Sequence, residues 1–298
     1  FKLNFMPHKS GFVNIIGNPN VGKSTIMNQM VGEKLSIITP KAQTTRHRIL
    51  GIVNSDDYQI VYSDTPGILK PNYKLQEKMM RFVGSAFEDA DIILYVTDVV
   101  EKMDKNQQYI DKLSQTNVPV LLLINKIDLS NQEELEILVD IWKKIIPKAE
   151  IIPVSATKNF NLDQVFKRIL KLLPEGPAYY PKDSLTDKTE RFFVSEIIRE
   201  KILNNYRKEI PYSVEVEVEE FKETEKLLRI RATINVIRPS QKGIIIGHKG
   251  QALKKTGTEA REDIEDFFGK KVFLELFVKV NKDWRDKEKT LKDFGYNI

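Results

Sequence analysis

The hydrophobic positions of the first 174 residues fall into short apolar runs separated by amphipathic stretches. A helical pattern follows the first run, and an amphipathic helix is predicted over 160–173. Strands that alternate with helices in this way are typical of an α/β domain built on a largely parallel sheet. The apolar runs that predict strands lie at 12–16, 48–54, 58–63, 91–97, 118–124 and 151–154.

The hydrophobic pattern changes after Pro174, where Pro and Gly residues stop the helix and periodicity is lost. A helix is predicted from Glu190, and strands are predicted at 214–218, 228–236 and 272–280, the first with alternating Val and Glu. A helix pair ending near Phe268 separates the last two strands. We therefore predict a second, smaller α+β domain. The predicted boundaries are 10–174 for the first domain, 175–189 for a linker and 190–298 for the second domain.

Residues 17–25 fit the pattern G-x-x-x-x-G-K-[S/T] at every fixed position, between a predicted strand and a predicted helix. Glycines let backbone N–H groups approach phosphate oxygens, Lys23 can reach the β and γ phosphates, and Ser24 can offer its hydroxyl to Mg²⁺. The sequence therefore predicts a nucleotide-binding loop with Mg²⁺ as cofactor. Its residues are Gly17, Asn18, Pro19, Asn20, Val21, Gly22, Lys23, Ser24 and Thr25.

Two polar segments after this loop are candidates for contacts to Mg²⁺ and the γ-phosphate. The irregular segment 33–45 ends in two threonines, of which Thr45 is our first choice as a Mg²⁺ ligand and Thr44 our second. In the following D-x-x-G element, Asp64 can hold a Mg²⁺ water and Gly67 can donate its N–H to the γ-phosphate. The predicted catalytic residues are Lys23, Thr45, Asp64 and Gly67. The predicted nucleotide site also includes Thr65, Pro66 and Ile68.

The element around Asp128 predicts that the base is guanine and the ligand GTP or GDP. A carboxylate can accept two hydrogen bonds from the N1–H and N2–H₂ edge of guanine, whereas adenine offers no such paired donors. Asn125 can meet the other edge of the base and tie loops together, while the Lys126 stem covers a base face. Three residues after the last predicted strand present N–H groups for guanine O6: Ser155, Ala156 and Thr157.

A G-x-x-G loop marks the second domain. Gly247 and Gly250 lie between an apolar helical turn at 244–246 and a helix, in the element order of a type II KH domain. Residues 238–255 carry five basic residues and no acidic one. The apolar turn is expected to flank a narrow groove for unpaired bases, which favours single-stranded RNA, although KH domains also admit single-stranded DNA. The predicted RNA-binding residues are Arg238, Lys242, Gly243, Gly247, His248, Lys249, Gly250, Lys254 and Lys255.

Composition narrows the function classes further. The 298 residues suit about two domains of ~150 residues each, and the net charge of +5 is a mild indication of a polyanionic partner. The absence of cysteine excludes disulfides, thiol catalysis and cysteine-ligated zinc, and it fits a cytoplasmic protein. No apolar run reaches the ~18 residues of a membrane span, so we expect a soluble protein rather than a membrane transporter. Residues 1–5, before Met6, are expected to be non-native.

The phosphate loop and the string at 43–48 resemble those of translation-factor-class GTPases and, more closely, the Era family. The resemblance runs from Gly11 through both domains and includes residues 195–201 and 274–276. It implies a bacterial GTPase that binds the 3′ end of 16S ribosomal RNA through its KH domain and assists assembly of the small (30S) ribosomal subunit. It also implies peripheral association with the inner membrane, and we expect a monomer.

Catalysis must differ from that of Ras-like proteins, because Ile68 replaces the glutamine that orients water in those proteins. The resemblance implies a group of GTPases with a hydrophobic residue at this position. In relatives with the string P-N-V-G-K-S, the asparagine matching Asn20 helps to bind K⁺, which would neutralise developing phosphate charge. Two interpretations of Asn20 stay open, a K⁺ ligand and a simple turn former. We expect slow intrinsic hydrolysis.

Other functional classes also stay open at this point. Ile68 would suit a non-catalytic GTP sensor or RNA chaperone, and the second domain could instead be a protein-docking module. Phosphate release on addition of RNA and K⁺ would distinguish the first alternative. Trp284 is expected to cap a core rather than to stack on bases, and Lys287 and Lys289 are expected to be solvated.

Overall fold

The computed structural model describes residues 8–101 and 106–297, so the residues expected to be non-native lie outside it, as does the last residue of the predicted second domain. The described residues divide into two compact units. The first comprises residues 8–36, Thr45–Pro71 and Met79–Asp187, and the second comprises Ile37–Thr44, Asn72–Lys78 and the residues from Lys188 onward. Two short segments from the first half of the chain therefore belong to the second unit.

The first unit contains a six-stranded sheet of order β2-β3-β1-β4-β5-β6. Every neighbouring pair is parallel except β2 and β3, which are antiparallel. β4 and β5 are buried at every position, as expected for parallel strands covered on both faces. The strands are β1 (Lys9–Gly17), β2 (Ile49–Asn54), β3 (Tyr58–Asp64), β4 (Ile92–Asp98), β5 (Val120–Asn125) and β6 (Glu150–Pro153).

Helices connect the parallel strands, and their apolar faces complete the core. Trp142 and Val83, from two of these helices, pack in one buried cluster with Ile16 and Tyr95 of the sheet. The helices that precede the predicted linker are α1 (Lys23–Val31), α2 (Lys74–Glu88), α3 (Gln107–Gln115), α4 (Gln132–Ile145) and α5 (Leu162–Leu172).

The stretch that we predicted as a linker, 175–189, contains no named helix or strand in the structure. Much of it is nevertheless held against the first unit. The buried Gln59 side chain accepts the N–H groups of Tyr179 and Tyr180 at 2.7 and 2.9 Å and donates to the Tyr180 carbonyl at 2.8 Å. Because these bonds use main-chain groups, they leave no periodic pattern in the sequence. The domain boundaries themselves stay a prediction.

The second unit contains a three-stranded sheet of order β7-β8-β9, antiparallel at the first pair and parallel at the second. The element order is a long and a short helix, two strands, a helix pair, a strand and a helix. The fold class predicted from the sequence, an α/β nucleotide-binding domain followed by a smaller type II KH domain, is confirmed. The elements are α6 (Glu190–Asn205), α7 (Ile210–Ser213), β7 (Glu215–Glu223), β8 (Leu227–Val236), α8 (Pro239–Ile246), α9 (Gln251–Phe268), β9 (Lys271–Val280) and α10 (Glu288–Asp293).

The Val and Glu alternation that predicted the strand at 214–218 does not place every Glu at the surface. Glu217 and Glu219 are exposed, but Glu215 is buried and its carboxylate accepts the Tyr296 hydroxyl at 3.0 Å. A partner some 80 positions later in the chain, invisible to a local alternation pattern, supplies this burial. Among the residues described, no helix is both long and apolar enough to cross a membrane.

Candidate nucleotide site and nucleic-acid interface

The predicted nucleotide-binding residues gather at one edge of the six-stranded sheet. Parallel β1, β3, β4 and β5 all end at this edge, in Gly17, Asp64, Asp98 and Asn125. Ligands of open α/β sheets bind outside the carboxyl ends of the strands, where the connecting loops meet. The topology therefore brings together motifs that are more than 100 residues apart in the chain.

Lys23 lies in the first turn of α1 and is buried. Its ammonium donates to the Asn18 carbonyl at 2.8 Å, so the loop curls around the charge. Burial lowers the pKa of Lys23 to about 8, while the charges of Asp64 and Glu101 oppose this shift. Burial therefore disfavours the charged form of Lys23. An anionic ligand such as a phosphate would stabilise the charged form.

The three predicted Mg²⁺ ligands converge. The Ser24 hydroxyl donates to Asp64 Oδ2 at 2.6 Å, and Thr45 Oγ1 lies 2.9 Å from Ser24 Oγ and 3.3 Å from Asp64 Oδ2. Thr44, our second choice, instead bonds to the Thr39 hydroxyl at 2.7 Å. The geometry therefore favours Thr45 over Thr44.

Asp64 itself has the properties of a cation ligand. Its Oδ1 atom is buried and has no hydrogen-bond partner among the described residues. Burial raises the pKa of Asp64 above its usual value, and the Lys23 ammonium opposes the shift. A buried carboxylate oxygen beside two hydroxyls is a set of hard oxygen donors, which fits Mg²⁺.

The Asn125 side chain ties two loops together, as the sequence suggested. Its Nδ2 atom donates to the Val21 carbonyl at 2.8 Å, and its Oδ1 atom accepts the Ala156 N–H at 3.0 Å. Lys126 forms an ion pair with the buried Asp98 at 2.6 Å and donates to the Asn20 carbonyl at 2.6 Å. These bonds hold the phosphate loop, the candidate base-recognition loop and the end of β4 together.

Asp128 is exposed, and one of its carboxylate oxygens accepts the Ser155 hydroxyl at 2.5 Å. This bond orients the carboxylate. Our expectation that the N–H groups of Ser155 and Ala156 meet the base needs correction, because they donate to Phe160 O at 3.2 Å and to Asn125 Oδ1. The N–H group of Thr157 keeps that predicted role.

The D-x-x-G element presents main-chain groups to the nucleotide site more than it presents side chains. The Thr65 hydroxyl is buried and donates to the Ile15 carbonyl at 2.7 Å, and Ile68 is 2% exposed within the apolar core. The Pro66 side chain is likewise buried, whereas Ile68 also lines the cavity beside the phosphate loop. The nucleotide contacts predicted for Thr65, Pro66 and Ile68 stay a prediction. A Cβ atom at Gly67 would lie 2.7 Å from the Pro19 backbone, so glycine permits the two loops to approach.

Sequence reasoning missed polar residues that line a cavity of about 480 Å³ beside the phosphate loop. Glu101 accepts hydrogen bonds from the side chains of Asn18 and Thr97, and Asn106 donates to Asn18. No local signal could have identified Glu101 or Asn106, since they follow Asn18 by 83 and 88 positions. Asn20 also lines this cavity, with an exposed side chain and a positive φ of 67°.

In the second unit, the G-x-x-G element forms a tight turn between α8 and α9. Gly247 has a φ of +71°, and a Cβ atom there would lie 2.6 Å from Ala252 Cβ. Lys249 and Gly250 also have positive φ, at 48° and 77°. The turn therefore presents Lys249 outward on a strained backbone. The charged side chains that we predicted to contact RNA phosphates, and His248, lie at the surface and are exposed or half-buried: Arg238, Lys242, His248, Lys249, Lys254 and Lys255.

A cavity of about 410 Å³ lies between α9 and β9, beside this turn. Its lining combines apolar side chains, glycines and cations: Gly250, Leu253, Lys254, Gly257, Thr258, Arg261, Leu274 and Leu276. This corrects part of our expectation that residues 244–246 flank the groove, because Ile245 is fully buried in the core, whereas Ile244 is exposed. A glycine inside a helix costs about 1 kcal/mol relative to alanine, so Gly257 was an available signal that we missed.

Trp284 is buried, and its indole N–H donates to the Ser213 carbonyl at 3.1 Å. It therefore packs in the core and offers no stacking surface. Lys287 and Lys289 are exposed.

Comparison with known proteins agrees with both units. Residues 12–126 match the family model described as 50S ribosome-binding GTPase, and residues 209–285 match the KH domain model. GTPase Era of Clostridium kluyveri is 48% identical over 290 residues, covering 97% of this chain and 99% of that protein. GTPase Era of Syntrophus aciditrophicus is 49% identical over 292 residues, covering 97% and 95%.

Two solved structures resemble this chain along nearly its whole length, each with a TM-score of 0.93 and 42% identity. One is a variant of Era from Aquifex aeolicus bound to GDP and aluminium fluoride, which covers 97% of this chain and 100% of that one. The other is Era in complex with MgGDPNP and nucleotides 1506–1542 of 16S ribosomal RNA, which covers 98% and 100%.

Proposed function

Since this chain belongs to the GTPase Era family, we propose that it hydrolyses GTP to GDP and phosphate, and that its nucleotide state controls binding of single-stranded RNA. The RNA is the 3′ end of 16S ribosomal RNA, and the process is assembly of the small ribosomal subunit. The convergence of Ser24, Thr45 and Asp64 beside the buried Lys23 carries the proposal. The solved relative with MgGDPNP and 16S nucleotides supports it.

In this mechanism Lys23 binds the β and γ phosphates and Asp128 selects guanine. Ser24, Thr45 and Asp64 hold Mg²⁺, which supplies charge stabilisation at the phosphate oxygens. Gly67 donates its N–H to the γ-phosphate. Because loss of that phosphate removes contacts to the segments at Thr45 and Gly67, hydrolysis would release both segments.

Slow intrinsic hydrolysis is part of the proposal, because Ile68 is packed in the core and cannot orient water. The K⁺ role of Asn20 is supported by its exposed side chain at the phosphate-loop cavity. The test compares phosphate release in K⁺ and Na⁺ for the wild type and for Asn20→Gly, since glycine tolerates the positive φ of 67°. K⁺ should accelerate only the wild type, and equal rates in both salts would remove this role of Asn20.

RNA binding is tested with Lys249→Asp and, as a matched control, Lys289→Asp. Both remove an exposed lysine, and Asp tolerates the positive φ of Lys249 better than most residues. Affinity for an RNA of nucleotides 1506–1542 should fall at least tenfold in Lys249→Asp and stay unchanged in the control. Equal affinities of both variants and the wild type would contradict an RNA role for the turn.

The same titration in the GTP-analogue and GDP states tests nucleotide control, because equal RNA affinities in both states would remove the coupling. Phosphate release by the wild type on addition of RNA and K⁺ would exclude a non-catalytic sensor.

We also propose a cytoplasmic monomer with peripheral membrane association. Co-flotation with vesicles of bacterial lipid tests the membrane contact, and a protein that stays at the bottom of the gradient would count against it.

A further inference from the structure

The turn that contains Gly247 and Gly250 requires a fixed spacing between the two helices that it joins. Both glycines have a positive φ, at 71° and 77°, and a Cβ atom at Gly247 would lie 2.6 Å from the Cβ atom of Ala252 in α9. The end of α8 therefore lies against the first turn of α9, and a small displacement of either helix would distort the turn. Contacts that hold these two helices together thus affect the surface that we propose for RNA.

Tyr206, which lies outside the two helices, contacts both of them. It directly follows the last residue of α6 and is 6% exposed. Its hydroxyl donates to the Ile245 carbonyl in the last turn of α8 at 2.8 Å, and it accepts the Thr256 hydroxyl of α9 at 3.3 Å. The two bonded residues lie on either side of the turn, two positions before Gly247 and six positions after Gly250. The Tyr206 hydroxyl therefore joins the two helices directly.

The groups that bond to the Tyr206 hydroxyl are buried. The last carbonyls of a helix have no partner within the helix, and Ile245 is fully buried, so water does not compete for its carbonyl. Thr256 is also fully buried. Burial raises the pKa of Tyr206 above its usual value, so the hydroxyl keeps its proton and remains a donor. Because a buried polar group that loses its partner is costly, these bonds resist separation of the two helices.

Asn205, the last residue of α6, bonds to the same part of α9. Its side-chain amide donates to the Thr256 hydroxyl at 3.3 Å and to the Glu259 carboxylate at 2.6 Å. Residues three positions apart lie on the same face of a helix, so the two bonds fix both the position and the rotation of α9 at the end of α6. Since Tyr206 comes next in the chain, the end of α6 holds α8 and α9 from one place.

We propose that Tyr206 is a positioning residue for RNA binding. By bonding to Ile245 and Thr256, its hydroxyl holds α8 and α9 at the spacing from which the turn presents Lys249 to RNA phosphates. This inference rests on the proposed RNA-binding function and assigns a role in it to a buried residue, which acts through the two helices. All of the residues involved lie within the second unit.

The test is Tyr206→Phe in the whole chain of 298 residues, with Tyr296→Phe as a matched control. Tyr296 is also buried in the second unit, and its hydroxyl donates to the Glu215 carboxylate at 3.0 Å. Both substitutions remove one buried hydroxyl and keep the ring. Of the two, only Tyr206→Phe removes bonds to the helices that flank the turn.

Tyr206→Phe should weaken binding of an RNA of nucleotides 1506–1542 by up to about tenfold, the factor that one lost buried hydrogen bond represents. Hydrogen exchange should accelerate at the amides of Gly247 and Gly250, which donate to the carbonyls of Gly243 and Gly247. Both measurements are made well below the unfolding temperature of each variant, so global stability does not contribute. Tyr296→Phe should match the wild type in both. Wild-type values for Tyr206→Phe, or equal losses in both variants, would overturn the proposal.

Thr256→Val provides a second, independent variant, because it removes the hydroxyl bonded to Tyr206 but keeps the branched shape of the side chain. RNA affinity should fall by a smaller factor, since Tyr206 still donates to Ile245, and Thr256→Ser should restore it. Wild-type affinity of Thr256→Val, or equal losses in the Val and Ser variants, would again overturn the proposal. A wild-type protein that does not bind this RNA would instead refute the proposed function, so the two failures are distinguishable.

Discussion

At the level of single residues, the guanine selection that we propose depends on a carboxylate that is exposed but already oriented. Ser155 donates its hydroxyl to one oxygen of Asp128 and leaves the outward edge of the carboxylate available. Two hydrogen bonds to the base require two acceptor sites on this group, which an amide does not supply. In this proposal, one side chain decides the identity of the base.

Asp128→Asn should transfer the preference of the site from guanine to xanthine nucleotides, because an amide can donate to the oxygen that replaces the guanine amino group. Affinity for GDP should fall by at least a hundredfold, or about 2.7 kcal/mol, as expected when a charged hydrogen-bond pair is broken. Competition of GDP and XDP for a fluorescent nucleotide measures both effects. Asp140→Asn, at an exposed position of α4, is the control. Retained guanine preference would show that Asp128 does not read the base.

Gly22 permits the close approach of Asn125 to the phosphate loop. Gly22 has a φ of +97°, and a Cβ atom there would lie 2.2 Å from Asn125 Nδ2. Gly22→Ala should displace Asn125 from Val21 and Ala156, lower the free energy of unfolding by about 2–3 kcal/mol and weaken GDP binding. Denaturant unfolding and GDP titration provide the two measurements.

Gly32→Ala is the matched control for this prediction. Gly32 lies at the other end of α1 with a φ of +83°, and a Cβ atom there would meet no atom of the described residues within 4 Å. Only backbone strain of about 1 kcal/mol is therefore expected. GDP affinity should stay unchanged in this variant. Equal losses of GDP affinity in both variants would show that the contact with Asn125 is not the cause.

At the level of secondary-structure elements, α9 contains a residue of poor helix propensity where it forms one wall of the groove. Gly257 lies inside the helix, and a Cβ atom there would approach Leu276 Cδ1, the flexible end of a half-buried side chain, at 3.2 Å. Since alanine favours helices by about 1 kcal/mol over glycine, helix propensity does not explain the glycine. The close approach of α9 to Leu276, beside the open groove between α9 and β9, does explain it.

Gly257→Ala should therefore leave the protein as stable as the wild type, or up to about 1 kcal/mol more stable, while it narrows the groove. RNA affinity should fall severalfold because bases lose room to enter. Thermal unfolding and RNA titration on the same preparation separate the two effects. Unchanged RNA affinity would show that bases do not enter between α9 and β9.

Across the molecule as a whole, charge is distributed unevenly. The chain carries a net charge of only +5, yet residues 238–255 hold five basic residues without an acidic one. Local concentration of cations at the surface is the pattern of a protein that binds a polyanion. The remaining charges largely balance, as in the ion pair of Arg231 with Glu220.

If all five cations contact phosphates, the logarithm of the RNA association constant should fall with the logarithm of salt concentration with a slope of about −3.5. Lys249→Asp should reduce the magnitude of the slope by about 0.7 or more, because one phosphate contact is lost. Titrations between low and high KCl measure the slope, and Lys289→Asp should preserve it. A slope near zero would show that the basic residues are not the RNA contacts.

Local sequence patterns were enough to establish the fold class and the order of the elements, and to propose the main contacts to GTP and Mg²⁺. Lys23, Asp64 and Asp128 were found because each lies in a short motif directly after a predicted strand, and parallel strands bring such ends to one edge. The Gly247–Gly250 turn was found for the same reason, since its spacing and flanking elements are local.

Which residues are buried, and which distant residues contact each other, became known only from the folded chain. Folding placed Ile68 and Ile245 in cores, buried Glu215 against Tyr296, and set the Gln59 side chain against the main chain of Tyr179 and Tyr180. Each of these contacts joins residues far apart in the chain, often through main-chain atoms that every residue shares. The burial of a residue and its hydrogen-bond partners at such distances depend on how the elements pack. This packing does not appear as a periodic pattern of hydrophobic and polar residues in the local sequence of either partner.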